Sequence, residues 1–177
     1  MVSEAGGATT LWERSAGPIT RRGQWVAWIN GPGAELTPWS LCKQGVDLSK
    51  LVVVSQPVDV KQGLWVLQEL MSLCLFELIG FDLGEQNLRE HQVLKIKKLA
   101  LRYQTGLVLI TRSPRVMASS FYSLILHFNK NHMTVSRALH RPTPHTLERR
   151  DLYADTLPLL TAGRFGFPIG KSESLCS

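Results

Sequence analysis

The sequence predicts an α/β domain with a mostly parallel β-sheet and helices on both faces. Four short apolar runs, rich in β-branched and aromatic residues, alternate with segments whose apolar residues repeat at helical spacing. The apolar runs are continuous rather than alternating with polar residues. Such runs are typical of parallel strands that are covered on both faces.

The predicted elements follow in chain order. The strands are expected at 24–30, 51–56, 77–82 and 107–111. Helices are expected at 38–44, from about residue 59 to 74, and at 87–103. Glycines at 31 and 33 close the first strand, Pro38 opens the first of these helices, and Pro57 ends the second strand.

Side-chain spacing assigns faces to the two longer helices. The apolar stripe of the first comprises Val60, Leu64, Leu67, Met71 and Cys74, and that of the second comprises Val93, Ile96, Ala100 and Tyr103. Lys95, Lys98 and Arg102 form a separate outer stripe. The tryptophans expected to pack in the core are Trp25, Trp28 and Trp65.

The pattern changes after residue 120. Two apolar segments surround Asn131 and His132 with no room for a helix, which predicts an antiparallel hairpin added to the edge of the sheet. Residues 1–141 are therefore expected to form one core domain. Prolines, glycines and small apolar clusters follow, so residues 142–177 are predicted to be an irregular tail that wraps the domain or docks a partner.

Composition excludes several classes of protein. The chain has 177 residues, of which 44% are hydrophobic and 19% charged, as in an ordinary globular domain. Lysine and arginine exceed aspartate and glutamate by 20 to 14, which permits an anionic partner without requiring one. The three cysteines and five histidines lack metal-site spacing, and the cysteines predict no disulfide framework. Without a signal segment or membrane span, a cytoplasmic location is expected.

Several segments resemble RecA-type recombinases, over about residues 3–130. The most specific is KQGVDLSKLVVVSQP, at 43–57, which resembles the segment joining the second and third core strands of that family. FELIGFD resembles the Walker B strand and ends at Asp82, while EAGGATTL and AWIN lie over the P-loop and the strand that carries the catalytic glutamate. Only two residues precede Ser3, so we expect the strand before the P-loop to be missing.

The resemblance also implies a nucleotide site that has lost its chemistry. Its remnants are Gly7, Ala8, Thr9 and Asp82, with Ala8 in place of the P-loop lysine. The catalytic glutamate falls near Pro32, and the glutamine that senses the terminal phosphate is replaced by Thr111 or Arg112. We therefore expect no ATP hydrolysis, no cofactor and no enzyme activity. For Asp82, the alternatives are a retained metal role and a cap on the following loop.

Two bacterial groups resemble RecA cores without ATPase chemistry. The ImuA group acts in the DNA-damage (SOS) response as an accessory to translesion mutagenesis, with error-prone and Y-family polymerase partners. The SulA group comprises division inhibitors that bind the tubulin-like protein FtsZ. The long basic region after residue 114 favours an ImuA-like adaptor that binds DNA, a polymerase-type protein or a RecA-like partner. A SulA-like inhibitor that binds FtsZ and ignores DNA is the alternative.

Basic residues after the fourth strand are the candidate DNA contacts. They are Arg112, Arg115, Lys130, Arg137 and Arg141. Arginines among small hydroxyl residues suit phosphate oxygens, which guanidinium groups bind in bidentate fashion. The alternative is an ordinary loop with exposed arginines.

Overall fold

The computed structural model describes residues 6–32, 36–54, 57, 59–113, 122–128, 132–138 and 145–148. The helices are α1 (Gly6–Arg21), α2 (Pro38–Lys43), α3 (Val60–Ser72) and α4 (Glu90–Arg102), with a short 3₁₀ turn at Leu48–Lys50. The strands are β1 (Trp25–Ile29), β2 (Leu51–Val54), β3 (Phe76–Asp82), β4 (Gly106–Ile110), β5 (Leu124–Phe128), β6 (His132–Ala138) and β7 (His145–Glu148).

The first four strands form one sheet in the order β2-β1-β3-β4, and every neighbouring pair is parallel. This architecture confirms the predicted α/β class, with a parallel sheet between helices. The strands lie within two residues of their predicted starts. β1 and β3 form the centre of the sheet, and their residues are almost all buried, as continuous apolar runs require.

Two helices cover one face of the sheet. Trp12 of α1 packs against Trp28 of β1 with ring centroids 4.7 Å apart, and both side chains are buried. Leu41 of α2 joins the same apolar cluster. The hydroxyl of Thr37 caps α2 by accepting from the Ser40 amide at 3.4 Å, and Pro38 occupies the first helical position.

Helices α3 and α4 cover the other face. Asp59 caps α3 by accepting from the Gln62 amide at 2.7 Å. The predicted inner stripes are buried at Leu64, Leu67, Met71, Val93 and Ile96. The predicted outer stripe is exposed at Lys95, Lys98 and Arg102.

Trp65 corrects a sequence-based prediction, because 60% of this residue is exposed. It shares the outer face of α3 with Lys61 and Glu69, four residues to either side, which are also exposed. Its place in a helix that faces the core had suggested a core position. A step of one residue on a helix nevertheless turns the side chain by about 100°.

Strands β5, β6 and β7 form a second sheet, and both of its pairings are antiparallel. In the described parts of the chain, no pairing connects this sheet to the parallel one, so the predicted addition of a hairpin to that sheet's edge is not observed. β7 falls in the span predicted to be an irregular tail. This part of the span is a regular strand, because its backbone pairs with β6. Residues 149–177 of that span lie outside the described residues.

Two further observations concern the predictions for the cysteines and for membrane-spanning segments. Cys42 is a free thiol, whereas Cys74 is disulfide-bonded, which the wide spacing of the cysteines did not predict. None of the helices in the described ranges combines the length and the apolar character that crossing a membrane requires.

Candidate functional site at the carboxyl edge of the sheet

Three neighbouring parallel strands, β1, β3 and β4, end at the same edge of the sheet, which we call the carboxyl edge. The chain leaves these strands through Gly31 and Pro32, through Asp82, and through Thr111 and Arg112. Crevices at such edges commonly hold ligands in open α/β sheets. Here the first two segments touch, because a Cβ atom at Gly31 would overlap the backbone oxygen of Asp82 and lie 2.8 Å from its Cγ.

Arg112 connects all three strand ends. Its Nη2 donates to the Pro32 carbonyl oxygen at 2.5 Å, and its Nη1 lies 3.4 Å from Oδ2 of Asp82. Its backbone amide donates to the Gly84 carbonyl at 2.6 Å. The guanidinium therefore supplies a positive charge beside the Asp82 carboxylate from within the chain.

Asp82 is buried, with 2% of its side chain exposed against 26% for Arg112. Its second oxygen, Oδ1, accepts from the Gly84 amide at 2.8 Å, across a turn in which Gly84 has a φ of 62°. Both oxygens of the carboxylate are thus engaged. This is the loop-capping contact that the sequence offered as the alternative to a metal role.

The loop between β3 and α4 is fastened to the end of β4. Thr111 Oγ1 donates to the Gln86 carbonyl at 2.9 Å and accepts from the Ser113 amide at 3.1 Å. Asn87 Nδ2 donates to Ser113 Oγ at 2.6 Å. The hydroxyl groups of Thr111 and Ser113 thus form hydrogen bonds within the chain. The sequence had suggested such hydroxyl groups as phosphate ligands.

The head of α1, the other half of the predicted nucleotide site, is built from apolar packing. Gly7, Ala8 and Thr9 lie within the helix rather than in a loop. A Cβ atom at Gly7 would lie 2.6 Å from Cδ1 of Phe128 in β5, and Ala8 packs against the cluster that contains Trp12. A P-loop instead presents free backbone amides to phosphate oxygens.

The structure thus brings together two residues that the sequence had assigned to different sites, Asp82 and Arg112. Arg137 lies in β6, where its backbone pairs with Ile125. Arg115, Lys130 and Arg141, the other predicted DNA contacts, lie outside the described residues. Within the described ranges, no three or more histidine, cysteine, aspartate or glutamate residues form a metal-binding group.

Sequence reasoning missed a second buried carboxylate, Glu13 of α1. Only 2% of the residue is exposed, and Ser40 Oγ of α2 donates to its Oε2 at 2.6 Å. Burial raises the pKa of Glu13 above its ordinary value of 4.5, and the bond from Ser40 opposes this shift. The available signal was its position three residues before Ala16, a spacing that places the two residues on one face of the helix, and Ala16 is buried.

Comparison with known proteins identifies the fold. The structure is similar to the crystal structure of SulA from Pseudomonas aeruginosa, with a TM-score of 0.50 and 18% sequence identity. The match covers 63% of this chain and 92% of that one. No protein-family model matches the sequence. No curated protein matches it either. The chain therefore has a SulA-like fold, with additional residues beyond it.

Proposed function

We propose that this chain is a non-catalytic protein-binding domain of the bacterial SOS response, a division inhibitor of the SulA type. The observation that carries the proposal is the likeness to SulA, which extends over 92% of that protein. FtsZ is the partner that the alternative interpretation of the sequence, a SulA-like inhibitor, implies. Under this proposal the domain works in the cytoplasm, where FtsZ would be found.

The carboxyl edge supports a binding role rather than catalysis. An enzyme of the RecA type needs a carboxylate free to hold Mg²⁺ and a second one to orient water. Here Asp82 is held by Arg112 and by the Gly84 amide, and Pro32 stands where the catalytic glutamate would fall. We therefore propose that the domain neither hydrolyses ATP nor requires a cofactor.

The direct test is polymerisation of purified FtsZ with GTP, followed by light scattering, with increasing amounts of the purified full chain. We expect polymer to decrease as the chain approaches the FtsZ concentration, because a binding inhibitor acts by stoichiometry rather than by turnover. Addition of ATP should change nothing. Undiminished polymerisation at a several-fold excess of folded chain would contradict the proposal.

A DNA-binding adaptor of the ImuA type is the second candidate. It is favoured by the residues of this chain that the SulA match does not include, since that match covers 63% of the chain. This candidate predicts that labelled single-stranded DNA is bound with an affinity that decreases steeply as salt is raised, because contacts to phosphate release counterions. It also predicts an interaction with a polymerase-type protein.

The structure changes which variant tests DNA binding. From sequence, Arg112→Glu combined with Arg115→Glu should weaken binding while the domain stays folded. Arg112→Glu would, however, place a second carboxylate beside the buried Asp82, so loss of binding could result from unfolding. Arg115→Glu alone is the better test, and fluorescence anisotropy should show weaker DNA binding with an unchanged melting temperature.

A further inference from the structure

The outer face of α4 carries a row of positive charge. Lys95, Lys98 and Arg102 lie three and four residues apart, so they follow one another along a single face of the helix, and all are exposed. We call these three residues the α4 basic stripe. The helix contains one acidic residue, Glu90, which lies in its first turn.

In the part of the chain that the structure describes, no carboxylate neutralises the charges of the stripe. Among the described residues, neither Lys95 nor Lys98 forms an ion pair with a carboxylate. The guanidinium of Arg102 lies 5.5 Å from the centroid of the neighbouring Tyr103 ring, a contact with an aromatic face rather than with an anion. No carboxylate of the described ranges therefore competes for the two lysines with an anionic group of another molecule.

An apolar rim runs beside the stripe. Leu94 and Leu101 are seven residues apart, which is two helical turns, so they lie on one side of α4 between the buried and the basic faces. Leu94 is half-buried and Leu101 is 51% exposed, and neither belongs to the buried core of this face. A surface that combines cations with aliphatic side chains suits a partner that combines carboxylates with apolar residues.

We propose that α4 is the docking site for an acidic amphipathic segment of a protein partner. Carboxylates of the segment contact Lys95, Lys98 and Arg102, and its apolar side contacts Leu101. This inference rests on the proposed function in so far as that function requires a protein partner. A phosphate backbone would use the charges but would leave Leu101 without an apolar contact.

The test uses the full chain and a fluorescein-labelled 20-residue peptide of glutamate, leucine and alanine arranged as an amphipathic helix. Lys95→Glu with Lys98→Glu should weaken binding about tenfold, because two attractions are replaced by repulsions. Leu101→Ser should weaken it by a factor of about three. The matched control is Lys43→Glu with Lys61→Glu, which makes the same change of net charge on α2 and α3 and should leave the affinity unchanged.

Two comparisons decide the outcome. Loss of binding that is equal in the stripe variant and in its control would overturn the proposal, since binding would then follow net charge alone. Leu101→Ser without effect, together with tighter binding of a 20-nucleotide oligothymidylate to the same stripe, would assign the surface to nucleic acid and also overturn it.

The FtsZ assay separates this inference from the proposed function. A chain that inhibits FtsZ equally with and without the two lysine substitutions, and whose peptide binding is also unchanged, retains the function but loses this docking site. A chain that leaves FtsZ unaffected but binds the peptide through α4 supports the docking site and contradicts the FtsZ proposal.

Discussion

The two edges of the parallel sheet each carry an arginine–carboxylate pair, and the pairs differ in burial. At the amino edge, Arg22 and Glu77 lie 2.8 Å apart, and their side chains are 47% and 38% exposed. At the carboxyl edge, Arg112 and Asp82 lie 3.4 Å apart, but the aspartate is buried. We expect the pair of Arg112 and Asp82 to contribute more to the free energy of unfolding although its distance is longer. Removing one partner of a buried pair leaves the other charge without solvent.

The glycines at the two ends of β1 show the same difference. Gly23 precedes the strand with a φ of 81°, and a Cβ atom there would meet no atom within 4 Å. Gly31 follows the strand, where a Cβ atom would overlap the backbone of Asp82. A Cβ atom therefore has room at the amino edge, where only the left-handed backbone of Gly23 opposes it, whereas at the carboxyl edge it meets close packing.

The largest expected effect comes from Arg112→Ala. It should lower the free energy of unfolding by about 3 kcal/mol, because Asp82 stays buried with only its bond from Gly84. Arg22→Ala, at the exposed pair, should lower it by less than about 1 kcal/mol. Urea denaturation of the two variants measures both values. Adding Asp82→Asn to Arg112→Ala should restore part of the loss, and equal losses from Arg112→Ala and Arg22→Ala would refute the comparison.

A second prediction compares the two glycines. Gly31→Ala should destabilise the domain by about 2–3 kcal/mol, since the added methyl group forces the backbones of β1 and β3 apart. Gly23→Ala should cost about 1 kcal/mol, which is the strain of a left-handed conformation alone. Thermal unfolding followed by circular dichroism distinguishes them. A larger shift for Gly23→Ala would show that the carboxyl edge can open at little cost.

The smallest expected effect concerns Glu13. Its substitution tests the effect of burial on a carboxylate apart from the effect of an ion pair. Glu13 and Asp82 are both 2% exposed, but Glu13 accepts a hydrogen bond from the Ser40 hydroxyl, whereas Asp82 is paired with the Arg112 guanidinium. Its pKa is raised in the folded state, so that state binds the proton more tightly than the unfolded chain does. Stability should therefore decline as the pH rises from about the ordinary value of 4.5 through the raised value.

Glu13→Gln tests this expectation. The variant should remove that part of the pH dependence while retaining a hydrogen-bonding partner for Ser40. Free energies of unfolding measured from pH 4.5 to 8 provide the readout, with Glu90→Gln on the exposed start of α4 as the control. A pH profile that is the same in Glu13→Gln and in the unsubstituted chain would contradict the assignment.

The sequence predicted the parallel sheet because its signals were local. Continuous apolar runs marked β1 to β4, and Pro38 and then Asp59 marked helix starts that the structure confirms. The pair between Asp82 and Arg112 was not predicted, because the two residues are 30 positions apart and were assigned to different ligands. Their contact depends on the sheet order, which places β3 beside β4.

The same limit applies to the candidate site as a whole. Sequence patterns could identify Asp82 as a strand-end carboxylate and Arg112 as a loop cation. They could not indicate that each would satisfy the other, since satisfaction of a buried charge is a property of the assembled edge. Trp65 shows the complementary error, because a tryptophan in a core-facing helix was expected to be buried although it lies on the outer face of that helix.

The guanidinium at the carboxyl edge also constrains how this chain can change over evolutionary time. A substitution that removes Arg112 to free Asp82 for a cation would weaken the fold before any cation site existed. A substitution that introduced a lysine at Ala8 would leave the Asp82 carboxylate still engaged. Acquisition of metal-dependent chemistry at this edge would therefore require coupled changes at two separate places, the segment after β4 and the head of α1.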